Sequence, residues 1–226
     1  IYREAEERMY RHKATNNSRL RSQSVDLILT SLFEKFQAEK LHAKRVSILC
    51  KSLAIELEFI KEAVTQMGLA GLLHDIGKIG INEEILNKTG RIDVFERMEI
   101  ESHAELGHRI LGSVNDYFEI ADYVLAHHER WDGSGYPDGL SGDDIPLSAR
   151  LMAMADVFDA LLSKRVYKEA LPFAEVRKII AAGRGCQFDP DITDSLLDGC
   201  EEFEAIARHY GIDTETSSGR TSMATP

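Results

Sequence analysis

The segment LMAMADVFDALL, residues 151–162, repeats its apolar side chains at intervals of three and four. Leu151, Met154 and Phe158 therefore fall on one face of a helix with 3.6 residues per turn. The segment GLAGLLHDIGKIG, residues 68–80, has the same period. The 226 residues include only five prolines and show few strand-like alternations. The sequence therefore predicts an all-α protein.

Glycine and proline mark where the helices are expected to end. Residues 24–65 contain neither, so we expect one or two long helices there, with no turn before His42. Residues 130–146 hold four glycines and two prolines and are predicted to form a loop. Further helices are expected after Gly68, on either side of a turn at Gly90, over 117–129, from Leu147 to Ser163, from Pro172, and from Asp191 to His209.

The domain organisation predicted from composition is one bundle over residues 24–210. Residues 1–23 are expected to be a helix or linker from an upstream domain, because the chain does not begin with Met. This N-terminal helix is also the element through which we expect a homodimer. Residues 211–226 are polar and are predicted to be a disordered tail.

The net charge of -11 argues against a duplex nucleic acid as partner, since phosphate binding needs a basic face. No apolar run reaches the ~18–20 residues of a membrane span, so we expect no membrane contact by this segment. The three cysteines are odd in number and far apart. This pattern favours a reducing compartment, the bacterial cytoplasm, over a disulfide framework.

Carboxylates in apolar helical segments indicate a buried polar site. His74 and Asp75 end one such segment, and Asp156 is almost surrounded by apolar residues in another. Each has a simpler explanation. Asp75 could cap a helix beside a core histidine, and Asp156 could pair with Arg150 or Arg165.

The histidines change this balance when they are considered together. His127 and His128 close a helix, point about 100° apart and could serve two metal ions ~3.5–4 Å apart. His42 and His103 stand alone on helical faces, so five of the eight histidines can join Asp75 and Asp156 in one bundle. Imidazole with carboxylate suits Fe, Mn, Zn or Ni. The others, His12, His108 and His209, are assigned no role.

Five segments together resemble the HD-GYP family of bacterial cyclic dinucleotide phosphodiesterases, a branch of the HD phosphohydrolases. They occur in the order that the family has, over about residues 24–200: HDIGKIG, HAELGHRIL, HHERWDGSGYPDGL, ARLMAMADVFDALLSKRVYK and GCQFDP. A His-Asp pair alone would be a weak signal, but the full set is specific.

The resemblance implies a helical bundle with a metal centre in its core and hydrolysis of cyclic di-GMP to linear pGpG, with GMP as a further product in some members. Other members prefer a mixed cyclic GMP-AMP. Asp75, as the bridging ligand, and Lys78 would act in catalysis, while Lys78, Tyr136, Arg165 and Lys168 would bind substrate. The implied metal ligands are His42, His74, Asp75, His103, His127, His128 and Asp156.

One departure from the family concerns the number of metals. Members with three metals have Glu four residues before the histidine that matches His42, where this chain has Ala38. We therefore expect two divalent ions, Fe or Mn before Zn or Ni, with the neighbouring Glu39 as a bystander. Val166 also replaces a proline that is usual in the family.

Two other functions remain open at this stage. The chain could be a non-catalytic module that binds a dinucleotide or docks a partner such as a diguanylate cyclase through its Gly-rich loop. It could also be an HD phosphohydrolase that acts on linear nucleotides, although the loop containing Gly135, Tyr136 and Pro137 argues against this. In that loop, Trp131 is expected to pack against the core, while Tyr136 is a candidate to stack on a guanine.

Overall fold

The computed structural model describes residues 22–163 and 170–209, and this part of the chain contains helices and no strand. The predicted N-terminal segment and the predicted tail therefore lie almost wholly outside the described residues. The helices are α1 (22–35), α2 (Gln37–Glu56), α3 (Lys61–Leu73), α4 (Glu83–Leu86), α5 (Val94–Glu101), α6 (His103–Gly112), α7 (Phe118–Ala126), α8 (Leu147–Leu162), α9 (Phe173–Ala182), α10 (Pro190–Asp198) and α11 (Cys200–His209).

Three of the predicted helices are divided, two of them at residues, Phe36 and Ser102, that a sequence pattern does not mark. The expected uninterrupted run to His42 is wrong, because Phe36 leaves the helical conformation with φ -128° and ψ 88°. Ser102 separates α5 from α6, and Gly199 separates α10 from α11. The backbone angles of Phe36 are open to any residue, so this break needs no glycine or proline.

Gly68 does not precede a helix as expected but lies inside α3, because α3 begins at Lys61. The reason is the close approach of α3 to α2. A Cβ atom on Gly71 would meet Cys50 Sγ and the Ser47 backbone at 3.0 Å. The Ser47 hydroxyl also donates to the Gly68 carbonyl. These glycines therefore serve packing between helices and not a turn.

The core lies between α2, α3, α7 and α8, which pack against one another along their apolar faces. Its largest fully buried side chains include Phe158, Leu53 and Leu111. None of the helices within the described ranges is both long enough and apolar enough to cross a membrane. The metal-ligand candidates lie at one side of this core, at the ends of α3 and α7, at the start of α6, and in the middle of α2 and α8.

Candidate metal centre

The structure brings all seven predicted metal ligands into two adjoining groups. In each group, the candidate ligand atoms lie within 4.8 Å of one another. The first group contains Asp75, His103, His127 and His128, and the second contains His42, His74 and Asp156. The predicted alternative partner of Asp156, Arg150, instead pairs with Asp143 and Asp189 at 2.9 and 2.7 Å.

The first group is built from three converging imidazoles. His103 Nε2 is 3.4 Å from His127 Nε2 and 3.2 Å from His128 Nε2. The same nitrogen is 3.4 Å from Asp75 Oδ1. His127 and His128 reach this position from consecutive residues because α7 ends at Ala126 and the chain turns there.

The second group joins the first through Asp75. Its Oδ2 atom is 3.0 Å from His74 Nε2 and 3.8 Å from His42 Nε2. His42 Nε2 also lies 3.0 Å from Asp156 Oδ1. Because Oδ1 faces one group and Oδ2 faces the other, the Asp75 carboxylate lies in the position that a bridging ligand requires.

Backbone carbonyls orient three of these imidazoles. The Nδ1 atoms of His74, His103 and His127 donate to the carbonyl three residues earlier, at 2.8, 2.6 and 2.6 Å. A carbonyl oxygen only accepts, so Nδ1 carries the proton and Nε2 keeps a lone pair. This arrangement, with Nε2 free and the other nitrogen anchored, is the one that metal-binding histidines adopt.

Asp159 orients the His42 ring and was not predicted from the sequence. Its Oδ2 accepts from His42 Nδ1 at 2.7 Å, while Arg45 donates to both Asp159 oxygens at 2.6 and 3.0 Å. Asp159 is fully buried. The available signal was its place one turn after Asp156 in an apolar helix, which puts both carboxylates on one face.

The residues present fit divalent metal ions. The Nε2 atoms of His42 and His74 are buried without a hydrogen-bond partner. In the first group, three Nε2 atoms face one another at distances that neutral imidazoles tolerate when a cation lies between them. Imidazole nitrogens and carboxylate oxygens together form a donor set for Fe, Mn, Zn or Ni.

The charges of the first ligand group agree with that fit. Burial lowers the pKa of His128 to about 4 and holds the pKa of His127 well below its ordinary value, which keeps both rings neutral. Burial also lowers the pKa of His42, but the neighbouring carboxylates of Asp156 and Asp159 outweigh it and raise that pKa to about 9. A metal ion at this ring would therefore replace a proton. Burial raises the pKa of Asp75, but His74 and Lys78 bring it well below its usual range.

A model for the HD domain matches residues 27–192, which is most of the chain. The chain belongs to the HD domain family. The 3′3′-cGAMP-specific phosphodiesterase 2 of Vibrio cholerae is 41% identical over 167 residues, covering 73% of this chain and 32% of that protein. The cyclic di-GMP phosphodiesterase response regulator RpfG of Xanthomonas campestris is 42% identical over 169 residues, covering 74% of this chain and 45% of that protein.

The matched part of the chain spans less than half the length of either relative. Among solved structures, Bd1817, an HDG"Y"P protein from Bdellovibrio bacteriovorus, is similar with a TM-score of 0.59 and 18% identity. That similarity covers 81% of this chain and 62% of Bd1817 and concerns the fold alone. The family match, with these relatives, confirms the resemblance indicated by the motifs.

Lys78 and Glu39 adjoin the metal centre of this HD domain. Lys78 Nζ is 2.7 Å from Asp75 Oδ2 and 3.0 Å from Glu39 Oε2. A Glu39 oxygen also lies within 4.8 Å of the ligand atoms of His42 and Asp75. Glu39 was expected to be a bystander because it is one position away from the family's glutamate. The helical turn before His42 nevertheless brings its side chain to Lys78 and to the edge of the cluster.

A pocket of about 200 Å³ opens onto both ligand groups of the HD domain. Its lining includes the candidate ligands His127, His128 and Asp156 together with Tyr136, Arg97 and Arg130. His127 is buried and Arg97 is 75% exposed, so Arg97 lies at the solvent side of the pocket. The Tyr136 ring stacks on His128 with centroids 4.8 Å apart. Burial, with the charge of Asp75, raises the pKa of Tyr136, so its phenol stays protonated as a hydrogen-bond donor.

Glu129 anchors the Gly-rich loop that carries Tyr136, a role that the sequence analysis missed. Its buried Oε1 accepts the backbone N–H groups of Asp138 and Gly139 at 2.8 and 3.0 Å. Gly135 lies so close to the end of α7 that an added Cβ would meet the Arg130 nitrogen at 2.5 Å. The loop is therefore held against Glu129 and Arg130, the two residues that follow His128.

The other predicted residues are placed as follows. Trp131 is half-buried, its ring lies 5.4 Å from the Arg150 guanidinium carbon, and its backbone N–H donates to the Gln187 carbonyl. His108 forms an exposed pair with Asp122 at 3.2 Å, as a residue without a site role would. The predicted phosphate contacts Arg165 and Lys168 lie outside the described residues, as does His12.

Proposed function

We propose that this HD domain is a metal-dependent phosphodiesterase that hydrolyses cyclic di-GMP to linear pGpG, and further to GMP, in bacterial second-messenger signalling. The observation that carries the proposal is the pair of ligand groups at the inner end of an open pocket. The relatives named for cyclic di-GMP and for 3′3′-cGAMP support a cyclic dinucleotide as the substrate class. Cyclic di-GMP is the substrate chosen for the first assay.

The metal centre proposed here contains two divalent ions, with Fe or Mn favoured and Zn or Ni as alternatives. One ion would be held by His103, His127 and His128, the other by His42, His74 and Asp156, with Asp75 contributing one oxygen to each. Bound there, two ions supply positive charge for phosphate oxygens and lower the pKa of a water molecule toward neutrality.

Lys78 is the residue proposed to contact the phosphate that is cleaved. Asp75 and Glu39 outweigh the effect of burial and raise its pKa, so its ammonium group keeps a positive charge inside the site. It is 14% exposed and lies beside the bridging carboxylate. A fixed cation in this position stabilises negative charge that develops on phosphate or leaving-group oxygens.

Tyr136 is proposed to position the dinucleotide above the metal centre. Because the ring is stacked on His128 and half-buried, its orientation is set before substrate enters. Its phenol can donate a hydrogen bond to a phosphate or a base, and its exposed edge offers a surface for a guanine. Arg165 and Lys168 remain predicted phosphate contacts, and a cytoplasmic location, a homodimer and a diguanylate cyclase partner remain predictions as well.

The test is an assay of purified protein loaded anaerobically with Mn²⁺ or Fe²⁺ and incubated with cyclic di-GMP, mixed cyclic GMP-AMP and linear pGpG. Products are separated by chromatography, and bound metal is measured by elemental analysis. We expect pGpG from cyclic di-GMP in the wild-type protein. Asp75→Ala should lose both bound metal and hydrolysis, because it removes the ligand shared by the two groups.

The matched control is Asp122→Ala on the exposed side of α7, which should keep wild-type metal content and activity. Cyclic di-GMP that is bound but never cleaved would favour the non-catalytic module instead. Cleavage restricted to linear nucleotides would place the chain with other HD phosphohydrolases. Full activity in Asp75→Ala would remove the basis of the proposal.

A further inference from the structure

Arg97 is a cation at the outer part of the pocket that none of the predicted roles includes. It lies on α5 and lines the pocket together with Tyr136 and His128. Its side chain is 75% exposed, whereas the His127 ring at the inner end is buried. The exposure of the pocket lining therefore rises from the buried His127 ring, through the half-buried Tyr136, to the guanidinium group of Arg97.

The guanidinium group of Arg97 is available for a ligand. Its Nε donates to Glu101 at 2.8 Å, one helical turn away, and both side chains reach solvent. Such exposed pairs on one helix contribute little stability and exchange readily. Arg130, the other arginine lining this pocket among the described residues, is instead bound to its own loop through Ser134 at 2.8 Å and Asp132 at 3.4 Å.

The chemistry of the substrate class favours a cation in this outer region. A cyclic dinucleotide carries two phosphodiesters on opposite sides of one ring, and only one can lie at the metal centre at a time. The other is directed away from the metals, into a protein with a net charge of -11. The planar guanidinium of arginine binds phosphate oxygens through two parallel hydrogen bonds.

We infer that Arg97 binds the phosphodiester that is not being cleaved, and thereby selects cyclic dinucleotides over simple phosphodiesters. The inference rests on the proposed function, because it assumes that a cyclic dinucleotide occupies the pocket. Arg97 is a substrate-binding residue in this scheme and takes no part in holding metal. The short, exposed helix α5 supplies it, since none of the residues of α5 is buried.

The experiment compares two substrates in Arg97→Ala, Arg97→Lys and wild-type protein loaded with Mn²⁺. Cyclic di-GMP has two phosphodiesters, and bis(p-nitrophenyl) phosphate has one. Loss of a charge-assisted contact at an exposed position should raise KM for cyclic di-GMP about tenfold in Arg97→Ala. Arg97→Lys should recover part of that loss, and kcat should change little. The kinetic constants for bis(p-nitrophenyl) phosphate should be unchanged.

Arg109→Ala, an exposed arginine on α6, is the matched control and should behave like the wild type with both substrates. An unchanged KM for cyclic di-GMP in Arg97→Ala would overturn the inference. An equal loss with both substrates would also overturn it, because the effect would then arise at the metal centre.

Competition separates a phosphate contact from a base contact. Cyclic di-GMP and cyclic di-AMP are used as inhibitors of bis(p-nitrophenyl) phosphate hydrolysis, and Arg97→Ala should weaken both to the same extent. A loss confined to cyclic di-GMP would assign Arg97 to guanine and overturn the phosphate contact. If wild-type protein binds cyclic di-GMP without cleaving it, the proposed function fails, and the change in dissociation constant in Arg97→Ala still decides the role of Arg97.

Discussion

Four of the five imidazoles of the candidate metal centre are held through the nitrogen that faces away from the other ligands. Backbone carbonyls hold His74, His103 and His127, and the Asp159 carboxylate holds His42. A carboxylate partner raises the basicity of the coordinating nitrogen as well as fixing the ring. His42 is thus the one of these four rings whose binding strength depends on a side chain that can be changed.

Asp159→Asn tests this dependence. The amide keeps the shape of Asp159 but removes the charge that supports both His42 and Arg45. Loss of such a supporting partner typically costs 10–100-fold in metal affinity, so we expect Mn²⁺ affinity to fall by roughly that factor at the His42 group. Metal titration followed by elemental analysis measures the change, and circular dichroism checks that helix content is kept.

Asp194→Asn provides the comparison for this variant. Asp194 also pairs with an arginine, Arg184, at 2.7 Å, but the pair is exposed and distant from the metal ligands. The Asp194→Asn variant should therefore leave the Mn²⁺ affinity unaltered. If Asp159→Asn and Asp194→Asn bound Mn²⁺ equally well, Asp159 would have no part in preparing His42.

The sequence pointed to the candidate ligands more readily than to the residues that support them. Asp75 and Asp156 stand out because a charged group in an apolar helical segment needs a partner. Asp159 follows the same helical face, but its partners lie on α2, 117 positions away for His42, and no local pattern shows that contact. Glu129 was missed because the donors to its carboxylate are backbone N–H groups, which every residue but proline carries.

The ends of helices, more than their middles, place the ligands. Asp75 follows α3 with φ -99° and ψ 12°, outside the regular helix, and this turn directs its carboxylate between the two groups. His103 begins α6 directly after the break at Ser102. Sequence patterns predicted the helices but joined α5 to α6, because Ser102 is not a residue that stops a helix by itself.

Gly77 is where the turn after Asp75 touches the start of α6. An added Cβ would collide with the His103 carbonyl oxygen and lie 2.7 Å from the Gly107 nitrogen. Both obstacles are backbone, which cannot rotate away. Gly77→Ala should therefore separate Asp75 from His103 and lower the metal content of the first group, with a loss of cyclic di-GMP hydrolysis of at least tenfold.

Gly90→Ala is the matched change in an exposed turn, where the nearest atom to an added Cβ is the end of the Lys88 side chain at 4.0 Å. Metal content and hydrolysis should stay at the wild-type level in that variant. Wild-type metal content in Gly77→Ala would show that α6 can move without disturbing His103.

At the scale of the whole molecule, the all-α class and the family were predicted from the sequence and are confirmed. The apolar period of 151–162 and 68–80 defines helices that must bury one face, and a bundle is the result. The proposed domain limits, 24–210, remain a prediction, since the chain outside 22–163 and 170–209 is not described. The approach of α3 to α2 through Gly68 and Gly71 could not be predicted, because a glycine in a sequence is as common in a turn as at a close contact between two helices.

Metal binding should stabilise the whole domain, because the candidate ligands come from five helices or their ends, α2, α3, α6, α7 and α8. A ligand that binds the folded state at 100 times its dissociation constant adds about 2.7 kcal/mol. For a domain of this size, that corresponds to a rise in Tm of roughly 5–10 °C. Thermal unfolding of wild-type protein with Mn²⁺ and with a chelator measures the difference.

His128→Ala should remove much of this rise in Tm. His108→Ala should keep the rise, because His108 lies on α6 in an exposed pair with Asp122. Both variants delete an imidazole, so the comparison isolates the position of the ring. An identical Tm with Mn²⁺ and with chelator in wild-type protein would mean that the ligand groups bind no metal under those conditions.

The distribution of the ligands along the chain has a consequence for biosynthesis. A nascent chain that has left the ribosome as far as His128 carries the complete first group but lacks Asp156 and the Asp159 that orients His42. Metal captured at that point would be held on one side of Asp75 only. The second position can form only after α8 has emerged and packed against α2, so it would be loaded after the first.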